Sequence, residues 1–119
     1  MEGGGPLIVP LLSVLLAAGA AKPASSSRAE LRFGIEVARK GLWEEARFRF
    51  ERAVHLDPQN ASALNNLGVA LEQQGNFEGA RAAYEKALEL KAGSLYIQQN
   101  YDLFREADEK RNRKAKTRR

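Results

Sequence analysis

The chain lacks several residue types that build chemical sites. Its 119 residues include no cysteine, which excludes disulfides, thiolate nucleophiles and cysteine-ligated metal centres. His55 is the single histidine, so a metal site with two histidine ligands is excluded. The serines cluster at Ser25 to Ser27, outside the predicted helices, and no glycine-rich loop joins a strand to a helix. We therefore predict no catalytic residues, no metal site and no cofactor, and a protein that is not an enzyme.

Charge is distributed unevenly along the chain. The net charge is +4, from 19 Lys and Arg against 15 Asp and Glu. Residues 110–119 hold seven of these basic residues and no acid, so residues 1–109 have 12 basic and 15 acidic side chains, a net charge of −3. A mildly acidic body and a basic C-terminal segment therefore need separate interpretations.

The N-terminal segment is apolar and short. Residues 6–21 read PLIVPLLSVLLAAGAA, which is uncharged and shorter than the ~20 residues of a membrane-spanning helix. Ala18 to Ala20 matches the small-residue pattern of a signal-peptidase site. We therefore assign residues 1–21 to a signal peptide and residues 22–27 to a linker, and expect an exported protein, periplasmic or secreted. Because residues 1–5 contain no Lys or Arg, an uncleaved membrane anchor or a disordered leader are the alternatives.

The body of the chain is an internal repeat, in which residue i matches residue i+34. Glycine, alanine, leucine and aromatic residues recur at this spacing: Gly34 and Gly68, Gly41 and Gly75, Ala46 and Ala80, Ala53 and Ala87, Leu56 and Leu90, Trp43 and Phe77, Phe50 and Tyr84. Apolar residues follow helical periodicity within each unit, and glycine favours the left-handed conformation that ends a helix. The pattern predicts two helices per unit: about Arg28 to Lys40, Leu42 to Leu56, Ser62 to Gln74 and Asn76 to Leu90.

These motifs resemble the tetratricopeptide repeat family. The residues that carry the resemblance are Phe33, Gly34, Val37, Ala46, Phe50, Ala53 and Pro58 in the first unit and Leu64, Leu67, Gly68, Leu71, Ala80, Tyr84 and Ala87 in the second. The resemblance implies an all-α short solenoid with two helix–turn–helix units over residues 28–94. Glu30 stands where the family prefers a bulky apolar residue, as expected of a terminal unit with no neighbour to cover it.

A third helix and a basic tail complete the predicted organisation. We expect residues 95–109 to form a helix that caps the open end of the stack. Residues 110–119 are either a solvated helix end or a weak contact for an anionic membrane surface. Specific nucleic-acid binding is not expected, because no aromatic residue is interleaved among the basic ones.

Self-association is a further expectation, since five helices are near the minimum for a repeat core.

The family resemblance also implies a function and a site. The chain is expected to be a non-catalytic interaction module whose groove takes a protein partner, as an extended peptide or a helix. The groove positions that match are Leu31, Ile35, Arg39, Asn65, Val69, Glu72, Gln73, Gln99 and Leu103. The alternative is a membrane-tethered structural adaptor, held by an uncleaved N-terminus and the basic tail.

Overall fold

A computed structural model describes residues 25–118 of the protein. These residues form five helices and no strand: α1 (Ser27–Arg39), α2 (Trp43–Leu56), α3 (Ala61–Gln73), α4 (Phe77–Leu90) and α5 (Leu95–Thr117). Helices α1 and α2 pack as one hairpin and α3 and α4 as the next, with α5 against the second hairpin. The expected all-α architecture is confirmed. The signal peptide assigned to residues 1–21 lies outside the described residues.

The helix boundaries follow from capping residues that recur with the repeat. Ser26, Asn60 and Ser94 stand at equivalent positions of successive units, and the side chain of each accepts a hydrogen bond from the backbone of the following helix. Side-chain oxygens at this position satisfy N–H groups that have no partner within the helix. Gly41 and Gly75 follow α1 and α3 with φ angles of 76° and 79°. Only glycine adopts this left-handed conformation without strain, so both helices end there.

Each hairpin closes around a glycine and an aromatic ring. Gly34 on α1 faces Phe50 on α2, and Gly68 on α3 faces Tyr84 on α4. Both rings are almost fully buried. Leu67 joins the two hairpins, because it packs against the core clusters of both. Apolar side chains buried between the repeats therefore link the cores of the two hairpins.

The structure corrects the interpretation of Glu30. This residue is only 5% exposed, so the expectation that it is left uncovered is wrong. Its carboxylate accepts hydrogen bonds from Arg49 Nη1 at 3.3 Å and Arg52 Nε at 3.2 Å. Leu64 takes the equivalent buried position in the second unit. The first unit thus replaces an apolar contact with an ion-paired one, and the arginines of the same hairpin cover the carboxylate.

Stability should fall in acid partly because of Glu30. Burial alone raises the pKa of Glu30, but hydrogen bonds from Ser25, Arg52 and Arg49 outweigh it and hold the pKa below its ordinary value of 4.5. A carboxyl with a lowered folded pKa stabilises the fold above its unfolded pKa and loses that contribution as pH falls through the folded one. As the pH is lowered below about 4.5, we expect the thermal midpoint to fall, and to fall less in Glu30→Gln than in the wild type. Calorimetry between pH 7 and pH 2 measures both, and identical acid profiles would contradict this role.

Helix α5 is longer than the sequence predicted. It was expected to end near residue 109, but it continues through the basic segment to Thr117. Residues 110–117 contain no glycine or proline, and their Lys, Arg and Ala are good helix formers. Asp108 anchors this part of the helix, since its carboxylate accepts from Arg81 on α4 at 2.7 Å and from Arg111 at 3.1 Å. Within residues 25–118, no helix has the length and apolar character needed to cross a membrane.

Candidate functional site

A cleft of about 250 Å³ opens on the surface that α1, α3 and α5 share. Its lining comes from four helices and is mainly apolar: Ile35, Ala38, Arg39, Trp43, Phe50, Asn66, Val69 and Tyr96. Arg39 is the one charged residue among these eight. The cleft therefore offers apolar surface with a cationic group and an amide at its margin, a combination suited to a polypeptide ligand.

The repeat places equivalent residues side by side in the cleft. Ile35 and Val69 hold the same position in the first and second units, so α1 and α3 present a β-branched side chain from the same turn of each repeat. Both are only partly buried, although each also packs against a core cluster. Tyr96, in the first turn of α5, is 64% exposed. Its ring thus extends the apolar surface onto the third helix.

The polar residues at the margin are held by local hydrogen bonds. Asn66 Nδ2 donates to the backbone carbonyl of Ser62 at 2.8 Å. This hydrogen bond fixes the orientation of the Asn66 side chain. Its carbonyl oxygen can then accept a hydrogen bond from a ligand N–H. Arg39 Nη1 donates to Glu36 at 2.7 Å, and both side chains are largely exposed. A guanidinium has five N–H donors, so this surface pair leaves others available to a ligand carbonyl or carboxylate.

The structure brings three of the nine predicted groove residues into the cleft, namely Ile35, Arg39 and Val69. Leu31 is partly buried against the core of the first hairpin. Gln73, Gln99 and Leu103 are exposed but do not line the cleft.

Asn65 and Glu72 are engaged inside the protein. Asn65 is fully buried, and its Oδ1 accepts a hydrogen bond from Asn100 Nδ2 on α5 at 3.1 Å. Asn65 is thus a link between α3 and α5 in this structure, and it is not open to a ligand. Glu72 accepts from the Tyr84 hydroxyl at 3.0 Å. Burial, and then the charge of Glu72, raise the pKa of Tyr84, so its hydroxyl remains a protonated donor.

Sequence reasoning missed five lining residues: Ala38, Trp43, Phe50, Asn66 and Tyr96. Tyr96 shows why the repeat pattern could not find it. The residues at the equivalent positions of the earlier units are Ser62 and Arg28, so nothing marks this position as part of an apolar surface. An aromatic residue in the first turn of a predicted helix was the one signal that the sequence contained.

The described residues offer no cluster of metal-ligating side chains. In residues 25–118, no three His, Cys, Asp or Glu side chains lie close enough together to hold a metal ion. His55 lies exposed near the end of α2, where a cation interacts favourably with the helix dipole.

Comparisons with known proteins agree with the repeat architecture. The family model described as Tetratricopeptide repeat matches residues 31–95. A Haemophilus influenzae protein named Lipoprotein NlpI homolog is 35% identical over 99 residues, which is 82% of this chain and 31% of that protein. Human Tetratricopeptide repeat protein 36 is 40% identical over 60 residues, or 50% of this chain and 32% of that protein. Mouse Protein O-mannosyl-transferase TMTC1 is 37% identical over 67 residues, or 56% of this chain but only 7% of that protein.

Among solved structures, the TPR domain of Sgt2 from Aspergillus fumigatus superposes with a TM-score of 0.70. It is 24% identical to this chain, and the match covers 74% of this chain and 60% of that domain. At this identity the likeness establishes the solenoid fold alone. The chain spans about a third or less of the curated relatives named above, so their whole-protein activities do not transfer with the match.

Proposed function

The chain belongs to the tetratricopeptide repeat family, and we propose that it is a non-catalytic scaffold that binds an extended peptide or a partner helix in the cleft between α1, α3 and α5. Repeats of this family are protein interaction modules and are typically not catalytic. The observation that carries the proposal is the apolar surface formed by Ile35, Val69 and Tyr96 beside the polar Asn66 and Arg39.

The chemistry of the cleft suggests how a ligand is held. Apolar side chains of the partner would lie against Ile35, Val69 and Tyr96, because burying them there removes apolar surface from water on both sides. Asn66 would bind the ligand's main chain without selecting its side chains, and Arg39 would favour a carbonyl or carboxylate. The partner is therefore a peptide or helix with an apolar face and an acidic or carbonyl-rich end.

The exposed face of α5 would lengthen this site. Tyr96, Gln99 and Leu103 are spaced i, i+3 and i+7, so they lie on one helix face. Leu103 is among the most exposed large apolar residues of the described chain. Gln73, exposed at the end of α3, would contact the polar parts of a longer ligand. In this arrangement Asn65 acts indirectly, because its hydrogen bond to Asn100 holds α5 beside α3.

We expect Tyr96→Ala to weaken ligand binding by about 30-fold, since buried aromatic residues dominate interface energies. Val69→Lys should have a comparable effect, because it places a charge on apolar surface. The probe is a set of peptides selected by the wild-type protein from a displayed random library, with dissociation constants measured by fluorescence anisotropy. Leu56→Ala is the matched control, since Leu56 on α2 is 41% exposed and does not line the cleft.

Circular dichroism and the thermal midpoint separate binding from folding in this experiment. Unchanged affinity in a folded Tyr96→Ala variant would refute the cleft as the binding site. An equal loss of affinity in Leu56→Ala would mean that the cleft is not the determinant of binding.

We further propose that the protein is exported and acts in the cell envelope or outside the cell. The uncharged residues 6–21 and their small-residue end support this, and so does the name of the Haemophilus influenzae relative, a lipoprotein homologue. Cleavage after Ala20 would give a mature chain that begins at Ala21. The intact mass and the N-terminal sequence of the protein from its host show which residue the mature chain begins with. A chain that still begins at Met1 would refute cleavage.

An intact Met1 would favour the alternative, a membrane-tethered adaptor. The basic end of α5 would then add a weak contact with anionic lipid head groups, at about 1 kcal/mol per basic residue near the surface. Such a contact is purely electrostatic, because residues 110–118 include no large apolar side chain. Binding to anionic vesicles should therefore disappear at high salt. Binding that persists at high salt would exclude the basic segment as its cause.

A further inference from the structure

The second half of α5 carries charge of one sign. Residues 110–118 hold six Lys and Arg and no acidic residue, and both Lys110 and Lys114 are exposed. Like charges four residues apart destabilise a helix, so these two lysines do not serve its stability. The helix dipole favours cations in the last turn, which includes Lys114, but Lys110 lies before that turn. The folding of α5 therefore does not account for the basic pair.

These lysines lie on the side of α5 that borders the cleft. Tyr96 lines the cleft. Leu103, Lys110 and Lys114 follow it by 7, 14 and 18 residues. At 3.6 residues per turn, the four side chains leave the helix within about 40° of one another. Because Leu103 is exposed, this α5 strip (Tyr96, Leu103, Lys110 and Lys114) passes from apolar to cationic along the helix axis.

Neighbouring acidic residues do not neutralise the strip. Glu106 precedes Lys110 by one turn and lies at the margin, about 60° around the helix from the centre of the strip. Asp108 lies on the other side of α5, where its carboxylate accepts hydrogen bonds from arginines of α4 and α5. The Cζ atom of Arg111 also lies 3.5 Å from the centroid of the Phe77 ring. These contacts hold the second half of α5 against α4, so the exposed lysines have a fixed position beside the cleft.

We propose that the α5 strip binds an acidic segment of the protein partner, so that the ligand carries a cluster of Asp or Glu beside the apolar residues that enter the cleft. This inference rests on the proposed binding in the cleft and adds a requirement on the partner's sequence. Exposed ammonium groups complement carboxylates, and a surface of one sign steers a ligand of the opposite sign toward its site. The same lysines disfavour a basic ligand with equal apolar residues.

The geometry of α5 sets the spacing of the ligand residues. Lys110 and Lys114 lie about 11 Å and about 17 Å beyond Leu103 along the helix axis, at 1.5 Å per residue. An extended peptide covers these distances in about three to five residues, at about 3.3 Å each. A helical ligand needs about 7 to 11 residues for the same reach. The acidic cluster of the partner should therefore lie at one of these two separations from an apolar residue.

Selection from a displayed random library of peptides about 12 residues long, which reach about 40 Å when extended, tests the proposal with protein purified from its host. The wild type should select an apolar residue and an acidic cluster at one of the stated separations. The double variant Lys110→Gln, Lys114→Gln (the α5 variant) should select the apolar residue alone. The double variant Lys86→Gln, Lys91→Gln (the α4 variant) is the matched control, because it removes the same charge from exposed positions on α4 and at its C-terminal cap.

One selected peptide and a copy with glutamine in place of each acidic residue then give the effect as dissociation constants. The α5 variant should bind the acidic peptide about five- to tenfold more weakly than the wild type at low salt, and should bind the glutamine copy equally well. The α4 variant should bind both peptides as the wild type does. Salt should remove the difference between the two peptides, since exposed charges are screened beyond about 8 Å at physiological ionic strength.

Four results would overturn the proposal. A wild type that selects apolar peptides without acidic residues would contradict the strip and leave binding in the cleft intact, whereas no selected peptide at all would refute both. Equal losses of affinity in the folded α5 and α4 variants would show that net charge, and not the strip, attracts the ligand. If the α5 variant lost binding to vesicles of phosphatidylglycerol and phosphatidylcholine but selected the same acidic peptides as the wild type, its lysines would belong to a lipid contact instead.

Discussion

Replacing Tyr84 with alanine is expected to lower the free energy of unfolding by about 3–5 kcal/mol. This is a large part of the total stability of a small protein. Tyr84 is 1% exposed. Its ring centroid lies 5.5 Å from that of Phe104 and 6.2 Å from that of Tyr101, and its edge fills the space beside Gly68. The substitution would leave a cavity where α3, α4 and α5 meet.

Tyr84→Phe is the control for this substitution. It keeps the ring and removes only the hydroxyl that donates to Glu72, so it should cost about 1 kcal/mol. Urea denaturation followed by circular dichroism measures both values. Equal losses in the two variants would mean that the hydroxyl, and not the packing of the ring, holds this part of the core together.

Gly34→Ala should destabilise the first hairpin by about 2 kcal/mol, although alanine in place of glycine normally stabilises a helix interior by about 1 kcal/mol. A Cβ at Gly34 would lie 2.5 Å from Cε1 and 2.7 Å from Cδ1 of Phe50. Phe50 is almost fully buried and packs in the core of the first hairpin, so its ring can move away from a new Cβ only by disturbing that packing.

Gly93→Ala is the matched control, because a Cβ there would meet no atom within 4 Å. Chemical denaturation of both variants should show a loss for Gly34→Ala and almost no change for Gly93→Ala. If Gly34→Ala proved as stable as the wild type, close approach of α1 and α2 would not be the reason for glycine at this position.

The internal repeat made the helices predictable from sequence. Gly41 and Gly75 stop helices through their backbone conformation, and Asn76 caps α4 through its side chain, so these residues act locally wherever they stand. Small residues opposite large rings, such as Gly68 opposite Tyr84, likewise identified which helix faces pack together. For the four repeat helices, α1 to α4, local chemistry and periodicity therefore predicted the ends to within about one residue.

Features that depend on pairs of distant side chains could not be predicted in this way. Glu30 looks like an exposed residue until Arg49 and Arg52 are placed on the adjacent helix. Asn65 looks like a groove residue until α5 brings Asn100 against it. Neither pairing leaves a periodic signal, because each occurs once in the chain.

Site-specific photocrosslinking in the host organism tests partner binding in the cleft most directly. A benzophenone amino acid in place of Tyr96 or Val69 should form a covalent adduct with the same partner protein, since both positions line the cleft. The same amino acid in place of Ala82, exposed on α4, should not capture that partner. Capture from Ala82 with no adduct from either cleft position would contradict the account.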